Sequence, residues 1–267
     1  MGGTQWGEGA VAEPRVEYDE IAKVYDQRYV RNDYSGVEET LSGLVRGRDR
    51  VLEVGCGTGR WLDRIRGWGC TVLGLDPSIQ MLGVARGRIE GGWLARACAE
   101  ALPFETRSCD AVVAVNAFHH FDDPERFVGE AMRVLRPGGV VATIGLDPGQ
   151  GADSWYIYEY FTGVRESDCE RYPSCDSIRG WFKAAGFEQA SSSLAQHIEG
   201  AVDARPYLER GDAAKHTTSQ LVLLSDEAYA KGIGRIFRDV GGAEDQGQSL
   251  TLRADLRLYV TSGSVSS

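Results

Sequence analysis

The stretch Val51-Leu52-Glu53-Val54-Gly55-Cys56-Gly57-Thr58-Gly59 carries one carboxylate and then three alternating glycines. A second apolar run, Thr71-Val72-Leu73-Gly74-Leu75, ends on Asp76. Glycine lets backbone approach a ligand closely, because no side chain intervenes. An acid at the carboxyl end of the second strand can accept both hydroxyls of a ribose, as in dinucleotide-binding folds. The turn reads E-x-G-x-G-x-G, not the G-x-G-x-x-G that brings a helix N-terminus onto a pyrophosphate. Glu53 beside such a turn would repel a pyrophosphate and would suit an amino-acid ammonium. The expected ligand is therefore an adenosine joined to an amino-acid group.

A second set of residues could move a proton. His119 and His120 follow the apolar run Asp110–Val115 by only a few positions. That places them on the carboxyl side of a parallel sheet, where ligands bind. Imidazole can hold a proton acceptor poised near neutral pH. In an extended loop, His120 would face the acceptor and His119 would point away. A histidine bonded to a neighbouring loop is the plain structural alternative. His197 and His216 are further candidate bases, although each also reads as a surface residue.

Positioning these groups requires alternating strands and helices. Apolar runs predict strands over 50–54, 71–75, 93–97, 109–115 and 139–146. Helical spacing predicts helices over 37–46, 59–67, from Pro77 onward, and from Pro124 through Leu135. An amphipathic helix is expected over 17–31, and an aromatic-rich one over 153–163. A helix over 175–185 precedes strand 187–197, and the last strand is expected from Leu250 to Tyr259. The alternation argues for an α/β, doubly wound, mostly parallel sheet.

These segments together resemble the class I S-adenosylmethionine-dependent methyltransferases. The resemblance rests on the glycine turn with Asp76, on Ala99-Glu100-Ala101-Leu102-Pro103-Phe104, on Asp110–Asn116 with Phe118-His119-His120-Phe121, and on Ala131-Met132-Arg133-Val134-Leu135-Arg136-Pro137-Gly138-Gly139. Their order is similar to the type 11 and ubiquinone/menaquinone-type small-molecule branch. The resemblance covers residues 15–190. It implies a Rossmann-like, seven-stranded sheet with an antiparallel last strand, S-adenosyl-L-methionine as cofactor, and methyl transfer to a small organic molecule. O-methylation is favoured over N- or C-methylation, because a pocket histidine suits proton removal. A cofactor-binding regulatory or partner protein without transfer activity is the alternative.

The implied cofactor contacts are Tyr25, Glu53, Gly55, Cys56, Gly57, Asp76, Met81, Ala99, Glu100 and Asn116. His120 and His119 are the implied catalytic pair. Tyr25, in a Tyr25-Asp26 pair, resembles a lid residue whose ring would face the sulfonium. Cys98 departs from the family, which commonly has an Asp there to accept from the adenine amino group; a thiol accepts poorly. Asn116 is not followed by Pro-Pro-Tyr, which points away from DNA and protein-glutamine targets. Cys169 and Cys175 lie near a ligand position of arsenite methyltransferases, but no cysteine in the strand-4 loop or last strand completes such a set. No metal is expected.

The organisation expected is a mobile N-terminus over 1–16, a cofactor-binding core with a lid helix over 17–197, a helical cap insert over 198–249, and the last core strand over 250–261. The tail from Ser262 to Ser267 is also expected to be mobile. The chain has 267 residues and a formal net charge of −10. That charge argues against a nucleic-acid partner, whose binding relies on neutralising phosphates. Six cysteines without a C-x-x-C pair suit a reducing cytoplasm. Neither a signal peptide nor a membrane-spanning run is evident in the sequence.

Overall fold

The computed structural model describes Ala22, Asp26 and residues 33–267. The expected mobile end over 1–16 and Tyr25 lie outside the described residues, as does the lid helix apart from Ala22 and Asp26.

The first elements in order are α1 (Ser35–Val45), β1 (Arg50–Val54), α2 (Arg60–Gly67), β2 (Thr71–Asp76), α3 (Ile79–Arg88) and β3 (Trp93–Arg96). Then come β4 (Cys109–Val115), α4 (Pro124–Val134), β5 (Leu135–Leu146) and the two-residue β6 (Ser154–Trp155). The later part holds α5 (Tyr156–Tyr160), α6 (Val164–Arg171), α7 (Cys175–Ala184), β7 (Glu188–Asp203), α8 (Ala204–Glu209), α9 (Ser219–Val222), α10 (Asp226–Glu244) and β8 (Thr251–Ser264).

The sheet runs β3-β2-β1-β4-β5-β8, with β6 continuing the edge of β8 beside β5 and β7 on the other side of β8. Strands β1 to β5 pair in parallel, and β8 is antiparallel to β5. The expected Rossmann-like sheet with an antiparallel last strand is therefore present; β6 makes it eight strands. Central strands are covered on both faces, which is why they read as continuous apolar runs. Val51 packs toward α1, α2 and α3 with Leu41, Trp61, Leu62 and Leu82. Leu52 and Val54 pack the opposite way, toward Phe127 and Val128 of α4 and Phe182 of α7. Strand order reverses between β1 and β4, the switch point outside which such sheets bind ligands.

Three expectations differ from the structure. The aromatic segment over 153–163 is not one helix. Trp155 is extended (φ −145°) and pairs with Ala254, so the helix starts only at Tyr156. The last two strands are longer than their apolar patterns suggest: β7 pairs with β8 from Glu188↔Ser264 to Asp203↔Thr251. Six residues of the expected insert, 198–203, are thus strand. The tail is also not loose from Ser262: β8 pairs with β5 as far as Ser264, and Val265 N–H donates to the Gly139 carbonyl (2.9 Å).

Past β7, the helices α8, α9 and α10 form a separate apolar cluster with α5. It contains Tyr156, Ile157, Phe161, Ala204, Leu221, Ile236 and Val240. Gly232 of α10 sits against Phe161; a Cβ there would stand 2.2 Å from the ring. Ala in place of a mid-helix Gly ordinarily gains about 1 kcal/mol. Here Gly232→Ala should instead lose about 1–3 kcal/mol through overpacking. Urea unfolding reads the sign directly, and stabilisation would show that α10 is not seated on Phe161.

Candidate functional site

The glycine turn is held by β2. Gly55 N–H and Cys56 N–H both donate to the Leu75 carbonyl (2.8 Å each). Asp76, 8% exposed, accepts from Gly57 N–H on Oδ2 (2.8 Å) and from Ser78 N–H on Oδ1 (2.9 Å). Its two oxygens therefore fix both the turn and the start of α3, where Ser78 caps the helix by accepting from Met81 N–H (3.0 Å). Gly55 and Gly57 have φ of 74° and 51°, which L side chains avoid. A Cβ at Gly55 would also stand 2.4 Å from that of Ala117.

Two cavities meet at this end of the sheet. The smaller, about 150 Å³, is lined by Gly55, Gly57, Asp76, Met81, Ala99 and Glu100, together with Cys98, Asn116 and His120. The larger, about 590 Å³, is lined by His119, Trp155, Tyr156, Tyr172 and Tyr207, by the β7–β8 ribbon, and by 216–220. Asn116 lines both. It ends β4 in the left-handed region (φ 50°), which asparagine tolerates better than most residues.

Glu53 and Cys56 lie beneath the turn and do not line either cavity. Glu53 is 1% exposed and accepts from Leu62 N–H in the first turn of α2. Its Oε2 is buried with no hydrogen-bond partner among the described residues. Burial, and then the Asp76 charge, push its carboxyl well above the ordinary range. Burial does the same to the Cys56 thiol, which packs in the core. Glu100 lines the small cavity, but its Oε1 already accepts from Asp122 N–H (2.8 Å) and Asp123 N–H (3.2 Å), bracing the loop that opens α4.

The two histidines line different cavities. Residues Phe118–His120 form a 3-10 turn, not an extended loop. The His119 and His120 rings stay in contact there, with centroids 3.9 Å apart and planes tilted by 46°. Phe118 is buried against Phe127 and Trp181. His119 then lines the large cavity, stacked on Tyr172 (centroids 3.9 Å apart, planes at 18°), while His120 lines the small one. His197 also lines the large cavity. Its register partner is Arg257, and its Nε2 lies 2.7 Å from Asp255 Oδ1, whereas Ile198 and Leu256 occupy the other face of the ribbon. His216 lines the large cavity and is exposed.

Some contacts were not legible in the sequence. Asp26 accepts from the Thr58 hydroxyl within the glycine turn (2.6 Å) and pairs with Arg88 of α3, whose guanidinium also donates to the Thr58 carbonyl (3.1 Å). The Tyr25-Asp26 pair singled out Asp26's neighbour, and nothing in the spacing pointed to Arg88. Among the described residues no group of three or more His, Cys, Asp or Glu is placed to hold a metal. Cys169 is exposed and Cys175 buried, and all six cysteines are free. No helix among the described residues is long and apolar enough to cross a membrane.

With this geometry in place, comparison with known proteins is informative. Residues 52–143 match the family described as methyltransferase domain. An uncharacterized methyltransferase of Mycobacterium tuberculosis is 40% identical over 90 residues, 34% of this chain and 37% of its own. The phthiotriol/phenolphthiotriol dimycocerosates methyltransferase of Mycobacterium leprae is 37% identical over 174 residues, 64% of this chain and 61% of its own. The chain thus spans less than two thirds of the length of these relatives. A putative methyltransferase from an antibiotic biosynthesis pathway of Anabaena variabilis shares the fold with a TM-score of 0.66 at 20% identity, over 86% of this chain and 97% of its own. The [4+2]-cyclase SpnF does so with a TM-score of 0.58 at 17% identity, over 93% of each chain. Residues 52–143 are thus similar to a methyltransferase domain, set within a Rossmann-like sheet.

The buried Glu53 carboxyl has a consequence for stability. Its folded pKa lies above the ordinary 4.5, so the native state keeps a proton that the unfolded chain has lost. The stabilisation is full below that value and is lost as pH rises through the folded one. Urea midpoints should therefore fall from pH 4 upward, and Glu53→Gln should flatten the fall. A Glu53→Gln curve parallel to the wild type would contradict a buried, proton-holding Glu53.

Proposed function

We propose that this protein transfers the methyl group of S-adenosyl-L-methionine to a small organic molecule held in the large cavity. The observation that carries this reading is the juxtaposition at Asn116. One cavity is built from a glycine turn and a ribose-type acid, and the other from aromatic rings and a histidine.

The residues fit the cofactor's chemistry. Asp76 offers a carboxylate to the ribose hydroxyls, Met81 and Ala99 give apolar surface for the adenine, and Gly55 and Gly57 clear the approach. When bound, the cofactor supplies an activated methyl on a sulfonium. The protein must then align the acceptor behind that carbon, keep water out, and take a proton where the acceptor begins as a hydroxyl. Trp155, Tyr156, Tyr172 and Tyr207 give the apolar wall that orients an acceptor. His119 takes the proton in this reading, because its ring, not that of His120, lines the acceptor cavity. His120 stands on the cofactor side.

The 198–249 segment is read as a cap over the acceptor, since 198–202, Tyr207, Asp212 and 216–220 line the large cavity. O-methylation is favoured on the strength of His119. The phthiotriol and phenolphthiotriol in the name of the Mycobacterium leprae relative make alcohols the first acceptors to try. A cofactor-binding protein without transfer is the second reading; SpnF shows that this fold also appears under a cyclase's name.

Methyl-labelled S-adenosyl-L-methionine incubated with a panel of alcohols, phenols and amines separates these readings. Transfer predicts labelled acceptor together with an equal amount of S-adenosylhomocysteine; binding without turnover across the panel supports the second reading. Asp76→Ala should weaken cofactor binding by about 2–4 kcal/mol, through loss of charge-assisted hydrogen bonds and of the brace on Gly57. Unchanged affinity by calorimetry would place the ribose elsewhere. With a hydroxyl acceptor, His119→Ala should slow turnover by roughly 10²–10⁴-fold, with little change in cofactor affinity. Near-normal turnover would mean transfer by alignment alone or a base at His197 or His216.

A further inference from the structure

Beneath the large cavity lies a buried carboxylate that the proposed transfer does not use. Asp168 of α6 is 1% exposed, and its neighbourhood pushes its carboxyl up, burial being the main cause. It accepts from the Tyr158 hydroxyl (2.9 Å), from the Arg171 guanidinium (3.1 Å), and from the side-chain amide of Gln220 (3.0 Å). Gln220 comes from α9, within the segment read as a cap, 52 residues further along the chain.

The same Gln220 nitrogen lies 3.2 Å from the Tyr172 hydroxyl, to which it donates. Its amide orientation is set by Ser219, whose hydroxyl donates to Gln220 Oε1 (3.2 Å). Tyr172 is buried, with its phenol pushed up to about 12, so its hydroxyl stays protonated. Its ring is the one on which His119 stacks. A continuous line of contacts therefore runs Asp168–Gln220–Tyr172–His119, and Tyr172, Gln220 and His119 all line the cavity.

We propose that Gln220 and Asp168 are positioning residues for the transfer reaction: they lock the Tyr172 ring, which in turn sets the orientation of His119 toward the acceptor. The inference rests on the reading of the large cavity as the acceptor site. It adds that the segment past β7 does more than cover that site, because α9 supplies the group that fixes its histidine. Removing the amide takes one hydrogen bond from the Tyr172 hydroxyl, leaving it the Ser219 side chain as partner and the Arg171 guanidinium over its ring, and loosens the surface on which His119 stacks. A buried carboxylate with several partners makes such a lock specific, since a partly satisfied network is strongly disfavoured in the interior.

Gln220→Met tests this, because it keeps the side chain's length and removes both hydrogen bonds. Tyr172→Phe is the second variant; it removes only the hydroxyl and keeps a ring for His119. Two readouts are needed. The first is the His119 ring-proton resonance in ¹H–¹³C spectra, assigned by its loss in His119→Ala; the chain has only four histidines, so it can be followed individually. Stacking on Tyr172 shifts it upfield in the wild type, and this is visible without any turnover. The second is the kinetic split with an accepted substrate.

In both variants the upfield shift should fall by at least half, and kcat should drop about 5- to 30-fold while the cofactor KM stays within about twofold, as expected when a general base is mispositioned and not removed. An unchanged His119 resonance in both variants would overturn the lock. So would a moved resonance with unchanged kcat. If the wild type transfers no methyl group, the functional reading fails by itself, and the resonance still decides whether Gln220 holds Tyr172 and His119.

Discussion

The site depends on a buried carboxylate that braces a glycine turn. Asp76 holds Gly57 N–H on one oxygen and Ser78 N–H on the other, at 2.8 and 2.9 Å. Without it, the turn after β1 and the first turn of α3 would have no common anchor. The two backbone bonds to Leu75 O then set how far the glycines stand from β2. Asp26 adds a second clamp from the N-terminal side, through Thr58 and Arg88. The acid that would recognise a ribose is thus already part of the scaffold. Pre-organisation of this kind limits what has to be ordered when a ligand arrives.

From that fixed turn the two cavities follow by topology. The strand order reverses between β1 and β4, and the carboxyl ends of both open into the same crevice. Asn116, in a left-handed conformation at the end of β4, is the residue common to both cavities. The 3-10 turn just after it sends consecutive histidines into different cavities. The β7–β8 ribbon and the helices beyond it enclose the larger space. The small cavity is built almost wholly from the sheet core, and the large one largely from what the core carries in addition.

Much of the first half was legible in the sequence because its signals are local. Val51–Val54 and Asp110–Val115 are apolar runs bounded by glycine, acid or asparagine, and strands buried on both faces read in that way. Asp76 stood out by its distance from the glycines. The later half was less legible because long-range pairing decides it. Trp155 looks helical from its aromatic neighbours, yet Ala254 holds it as strand. Strand β7 continues past the end of its apolar pattern because β8 offers pairing partners as far as Thr251. The orientation of His119 against His120 turned on the burial of Phe118, and Phe118 packs on residues from α4 and α7. Arg88, Asp168 and Gln220 carry no local motif; each has a partner 30 or more residues away in the chain.

The central claim is that a cofactor braced by Asp76 presents its reactive end at Asn116 to an acceptor beside His119. A crystal structure with S-adenosylhomocysteine tests it most directly. The account predicts both ribose hydroxyls on the Asp76 carboxylate, the adenine against Met81 and Ala99, and the sulfur at the Asn116 boundary facing the large cavity. A nucleoside held away from Asp76, or a sulfur turned from the large cavity, would contradict it.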